Sequence, residues 1–224
     1  MSLAENKSRV FSEVQTACSE SGREQDSVSI IAVTKYVDSD VAGQLIDTGI
    51  HHIGENRVDK FLDKYNALKD KEDLTWHLIG TLQRRKVKDV INFVDYFHAL
   101  DSIKLAQEIE KRADRTIKCF LQVNISEEES KHGFKVDEID DVIDQLAELK
   151  QVELVGLMTM APFDATEEEL ENIFETTDQL RKQLKEKNIK NMPMTELSMG
   201  MSGDFKVAIK HGSTFVRIGT AFFE

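Results

Sequence analysis

Ile30-Ile31-Ala32-Val33-Thr34-Lys35 is a short apolar, largely β-branched run that ends in a lysine. Such a run reads as a strand buried on both faces, the kind that builds parallel sheets. An ammonium group is costly to bury unpaired, so Lys35 either reaches water just past the strand end or has a task at the mouth of the core. The residues on either side decide between those two readings.

Upstream, Leu3, Val10, Phe11, Val14 and Cys18 fall near helical spacing, and Gly22 supplies a stop. Downstream, Asp38 or Ser39 caps a helix carrying Val41, Leu45 and Ile46, and Ile50 to Gly54 forms the next strand. The alternation continues. Strands are expected at Trp76 to Gly80, Tyr96 to Leu100, Ile117 to Asn124, Val152 to Met158, Thr195 to Ser198 and Thr214 to Ile218. A helical pattern separates each from the next; one of these helices follows a cap at Asp101 or Ser102.

About eight βα units after one leading helix predict a parallel sheet with helices outside it, and the count is that of a (β/α)8 TIM barrel. Such barrels typically run to about 250 residues, so 224 make a compact one. An open doubly wound sheet is the rival architecture. Pro162 and Pro193 fall in local loops and no Gly/Ser-rich segment divides the chain, so residues 1–224 are expected to form a single domain.

The formal net charge is −12 and 40% of residues are hydrophobic. That acidity argues against nucleic acid and against anionic membrane surfaces. Cys18 and Cys119 are the only cysteines and read as small core hydrophobes. With no apolar leader or span-length run, a cytoplasmic protein is expected.

In a barrel, function belongs to the C-terminal strand ends and the loops after them. Those positions carry Lys35, Asn56, His77, Asn124, Met158, Ser198 and Arg217. Ser198-Met199-Gly200-Met201-Ser202-Gly203-Asp204 reads as a loop leading into a short helix, and Arg217-Ile218-Gly219-Thr220 closes the last strand. Small residues let backbone amides approach an anion, and barrels often hold phosphate between the loops after strands seven and eight. Two ordinary glycine turns are the plainer alternative. A phosphate pocket beside a lysine and an arginine suits pyridoxal 5′-phosphate, which brings an aldehyde, a phosphate and a pyridine nitrogen. Partial burial would lower the Lys35 pKa toward attack on the aldehyde, and Arg217 would donate to an unprotonated ring nitrogen.

Other candidates carry less. His51 and His52 are adjacent on a strand and point to opposite faces, and His77 and His98 have no cysteine or carboxylate at ligand spacing, so no metal site is expected. The runs Glu127–Glu129 and Glu167–Glu169 read as solvated charge, and Ser130-Lys131-His132-Gly133 as a polar loop over the mouth.

Several pieces together resemble one family. They are Ala32-Val33-Thr34-Lys35, Gly54-Glu55-Asn56, Trp76 to Gly80 with Leu82-Gln83, and Val123-Asn124. Ser130 to Gly133, Gly156 to Met160, Leu197 to Ser202 and Arg217 to Thr220 complete the set. In this order the chain resembles the YggS/PROSC family of pyridoxal phosphate homeostasis proteins. The resemblance implies the barrel of type III pyridoxal-phosphate proteins, similar to the alanine racemase N-terminal domain. It places the Schiff-base lysine on Lys35 and phosphate contacts on Ser198, Met199, Gly200, Gly219 and Thr220. Arg217 then falls near the pyridine nitrogen and Asn56 beside the cofactor. Relatives commonly run a few residues past the position of Glu224, so the closing segment is expected to be short. The implied role is holding and balancing pyridoxal phosphate without robust turnover, as a monomer, with pyridoxal-phosphate-dependent apoenzymes as partners. A racemase- or lyase-like enzyme is the alternative, and a cofactor-free aldolase-like barrel with Lys35 attacking a sugar carbonyl is a third reading.

Overall fold

Burial on both faces is what the opening run requires, and the structure, a computed structural model describing residues 1–129 and 132–224, provides it. Strand β1 (Ser29–Val33) carries Ile31 and Ala32 with no exposed surface. It is followed in order by β2 (His52–Glu55), β3 (Thr75–Leu78), β4 (Tyr96–Leu100), β5 (Ile117–Gln122), β6 (Val152–Met158), β7 (Glu196–Met201) and β8 (Phe215–Ile218). Each strand pairs in parallel with the next, and β8 pairs with β1 at Ile31↔Arg217 and Ala32↔Ile218. The sheet is therefore a closed barrel with no free edge, not the open doubly wound alternative.

Helices occupy the crossovers: α1 (Leu3–Glu20) leads, then α2 (Ser39–Asp47), α3 (Val58–Leu68), α4 (Val87–Val90), α5 (Ile103–Arg112), α6 (Ile139–Leu146), α7 (Glu167–Glu186) and α8 (Phe205–Lys210). Their starts follow side-chain chemistry. Asp38 accepts the Val41 amide at 2.9 Å, Ser102 accepts that of Leu105 at 3.1 Å, and Thr166 and Glu169 form a reciprocal box that begins α7. Gly156 is obligatory in β6, because a Cβ there would lie 1.7 Å from the Glu196 carbonyl oxygen.

At the loop expected to hold phosphate, the strand boundary differs from the sequence expectation. β7 continues through Met201, so half of the expected loop from Ser198 to Asp204 is strand. Gly200 permits this: it sits at φ +102°, and a Cβ on it would meet Ala208 Cβ at 2.8 Å. Glycine thus lets α8 lie directly against the strand end. Among the described residues, no helix is long and apolar enough to cross a membrane.

Candidate functional site

Closure of the barrel brings the first strand and the last side by side, and with them most of the expected site. Lys35 lies two residues past β1, and Gly219 and Thr220 directly follow β8 on the neighbouring strand. Lys35 is exposed rather than partly buried, its Nζ 4.8 Å from the centroid of the Tyr36 ring. The expected burial is missing because β1 ends at Val33, and the chain turns outward after the fully buried Thr34.

Thr34 is held from below. Its Oγ1 donates to Glu55 Oε1 at 2.6 Å, and its carbonyl accepts from Lys64 Nζ at 3.0 Å. Lys64 Nζ also lies 2.8 Å from Glu55 Oε1, which makes a buried ion pair between β2 and α3. Two strand ends and a helix are thereby tied together beneath Lys35. Asn56 follows Glu55 and is half-buried; its backbone abuts Gly80, where a Cβ would fall 2.1 Å from the Asn56 carbonyl oxygen.

Arg217 is the other pole. It is 5% exposed, and its Nη1 donates to Ser198 Oγ at 2.5 Å and its Nη2 to the Thr159 carbonyl at 3.2 Å. A guanidinium has five N–H donors, more than these two acceptors take. Burial pushes the Arg217 pKa down to about 10, with Asp204 opposing, so the group stays cationic at neutral pH. Asp204 in turn is raised above the ordinary carboxylate value by burial, against the pull of the Met201 amide and Arg217. Its Oδ1 accepts that amide at 2.6 Å and closes the turn into α8.

Ser198 is placed differently from a simple phosphate ligand. Its fully buried hydroxyl sits between Arg217 and His98 Nδ1, 2.7 Å away, so the side chain serves the barrel interior. Met199 is fully buried, and its carbonyl accepts from Ser213 Oγ at 2.6 Å. At the other phosphate candidate, a Cβ on Gly219 would make only ordinary contacts, with Val33 at 3.5 Å, and a short 3-10 turn runs from Thr220 to Phe222. The first amides of such a turn have no partner within it and are free to face an anion.

The remaining strand-end residues disperse. Asn124 Nδ2 donates to the Glu128 carbonyl at 2.9 Å, and Met158 packs in the core. His132 lies 3.5 Å from Asp101, whose carboxyl burial raises above its usual pKa; Ser130 and Lys131 of that loop lie outside the described residues. His77 is not at the mouth at all. It lies inside the barrel, hydrogen-bonded to His52 and His98. Nothing in the spacing of these histidines signals that they meet, and the only sequence signal for Thr159 is its place in Gly156 to Met160. Among the described residues, no three His, Cys, Asp or Glu side chains are grouped to hold a metal.

The alanine racemase N-terminal domain model matches residues 21–224. The pyridoxal phosphate homeostasis protein of Aquifex aeolicus is 39% identical over 100% of this chain and 98% of its own length. That of Escherichia coli K12 is 32% identical, with 99% and 95% covered. The structure of PipY from Synechococcus elongatus with PLP bound superposes with a TM-score of 0.88 at 32% identity, covering 99% of this chain and 100% of that one. Alanine racemase from Corynebacterium glutamicum shares the fold at 13% identity and a TM-score of 0.75; the match covers 99% of this chain and 60% of the racemase.

Proposed function

Because the chain belongs to the alanine racemase N-terminal domain family, and within it to the pyridoxal phosphate homeostasis proteins, we propose that it binds pyridoxal 5′-phosphate and helps balance the intracellular supply of that cofactor. One observation carries the reading. The β1–β8 pairing sets a primary amine, a buried guanidinium and a turn of small residues around one end of the barrel.

The donor set fits the group. Lys35 offers a solvent-facing amine for the aldehyde, Arg217 a permanent donor for the pyridine nitrogen, and the backbone at Gly219 and Thr220 amides for the phosphate. Met199 and Gly200 supply backbone on the neighbouring strand β7, with the Ser198 hydroxyl aiming Arg217 rather than reaching outward. Asn56 lines the side nearest β3. When bound, pyridoxal phosphate supplies an electrophilic carbon and an electron-withdrawing ring. A cation facing the ring nitrogen supports that withdrawal less than an aspartate would, which favours holding the cofactor over turning over amino acids with it. The chain acts in the cytoplasm as a monomer, and apoenzymes that use the cofactor are its recipients.

Absorbance tests the reading. The protein mixed with pyridoxal phosphate is expected to gain a visible or near-ultraviolet band that Lys35→Ala removes. A wild type that gains no band overturns it. Incubating the loaded protein with amino acids in deuterated water separates holding from a racemase- or lyase-like activity: turnover-scale α-proton exchange would establish the latter.

A further inference from the structure

Ring contacts between strands that do not pair place a set of side chains inside the barrel. Phe215 on β8 meets His77 on β3 at 5.5 Å and Phe120 on β5 at 5.7 Å. Through this layer runs an unbroken line of hydrogen bonds. His52 Nδ1 lies 2.9 Å from His77 Nε2, His77 Nδ1 lies 2.8 Å from His98 Nε2, and His98 Nδ1 lies 2.7 Å from Ser198 Oγ. Arg217 donates to the same Oγ. The far end, His52, is partly exposed at the start of β2, on the barrel floor. The line therefore joins solvent at the floor to the arginine of the candidate pocket.

We propose that His52, His77, His98 and Ser198 form a proton relay through the barrel, connecting the Arg217 end of the pocket to solvent at the floor. Each neutral imidazole has one N–H and one lone pair, so the chain has two self-consistent directions. In the outward one, Ser198 donates to His98 Nδ1, His98 Nε2–H to His77 Nδ1 and His77 Nε2–H to His52 Nδ1, which leaves His52 Nε2–H at the floor. In the inward one every donor and acceptor is exchanged, and the Ser198 proton is free to turn from His98. Passing from outward to inward, Ser198 Oγ takes a proton from a water or an acidic ligand group admitted to the pocket beside Arg217, each donated proton crosses to its acceptor, and His52 Nε2 releases one to water. One proton enters, one leaves, and no interior charge remains.

Electrostatics keep the relay neutral. Burial, then His98 and His52, holds the His77 pKa well below the ordinary imidazole value; burial, then Arg217 and His52, does so for His98. His52 is lowered by burial and by His51, with Asp95 opposing. The other titratable groups facing the line are Tyr96, stacked on His77 at 4.9 Å, Lys118 over the Tyr96 ring, and Asp204 beside Arg217. Arg217 is donor-only, so it never competes to accept the relayed proton.

Protonating His52 makes both its nitrogens donors and forces the inward direction. Imidazole nitrogen chemical shifts of isotope-labelled histidines in the cofactor-free protein read this directly, so the test stands apart from Lys35 and from cofactor binding. Between about pH 8 and 5, His98 is expected to move toward the Nδ1–H tautomer in step with His52. That response should vanish in His52→Phe, and in His77→Phe if that variant folds. A His98 tautomer that ignores pH in the wild type, or a response that persists in His52→Phe, overturns the relay. In the loaded protein, a pH-dependent change of the absorbance band that follows His52 and is lost in His52→Phe would support coupling to the pocket.

Discussion

Lys64 Nζ and Glu55 Oε1 lie 2.8 Å apart with both side chains almost fully buried, directly beneath the residue that precedes Lys35. Breaking a buried pair from one side strands a charge, which typically costs about 3–5 kcal/mol. Glu55 Oε2 already has no partner among the described residues, so little is left to absorb the loss. Lys64→Met is therefore expected to destabilise the protein by that amount in urea denaturation and to loosen Thr34 and Lys35. The double variant Glu55→Gln/Lys64→Met should recover most of the stability, because no unpaired charge remains. Arg57→Ala, which breaks the exposed pair with Asp59, should change stability by about 1 kcal/mol or less. Equal effects from Lys64→Met and Arg57→Ala would refute this account.

Acid should weaken the fold through the interior histidines. His77 and His98 are held below their unfolded pKa by burial, so the unfolded chain binds more protons once the pH drops below about 6.5. Stability is then unaffected above that value and falls beneath it, by about 1.4 kcal/mol per pH unit for each histidine until its folded pKa is reached. Carboxylates add their own slope, so the informative quantity is a difference. His77→Phe should lose about one histidine's share of the pH dependence between pH 6.5 and 5. An unchanged slope would mean that His77 is protonated inside the folded barrel.

Gly80 and Gly203 make a contrasting pair. A methyl at Gly80 runs into the Asn56 backbone, whereas at Gly203 nothing lies within 4 Å. Gly80→Ala is expected to cost about 1–3 kcal/mol or more as strand β3 or Asn56 is displaced, and Gly203→Ala to stay within about 0.5 kcal/mol. Thermal unfolding of the two variants distinguishes them, and similar midpoints would contradict the close approach.

The barrel was readable in the sequence because each strand is a short β-branched run punctuated by helix caps such as Asp38 and Ser102, which act locally. The positions of Lys35, Arg217 and Gly219 at or just past the ends of β1 and β8 were readable for the same reason. The partners of Arg217 were not. Ser198 lies on the neighbouring strand β7 and Thr159 just past β6, and no periodicity encodes which side chains of different strands meet. The histidine line has the same origin: 100 residues separate His98 from Ser198. Of the two readings open for Lys35, the structure shows the one that reaches water just past the strand end. The partial burial invoked for attack on the aldehyde is absent because the strand stops at Val33, although the apolar pattern runs on into Thr34.

Arg217 should prove sensitive to a change that keeps its charge. The planar fork reaches Ser198 Oγ and the Thr159 carbonyl at once, and a lysine ammonium on a flexible stem has no fixed geometry to span both. Arg217→Lys is thus expected to leave one buried acceptor unsatisfied and to misplace the donor facing the cofactor ring. A hydrogen bond involving a charged group contributes about 1.5–3 kcal/mol, which corresponds to roughly 10- to 150-fold in affinity. Titration with pyridoxal phosphate, followed by absorbance, should show a loss in that range while the Lys35-dependent band keeps its shape. Arg217→Met removes the donor altogether and should bind no better than Arg217→Lys. If either variant binds the cofactor as tightly as the wild type, Arg217 is a structural cation and the ring nitrogen is met elsewhere.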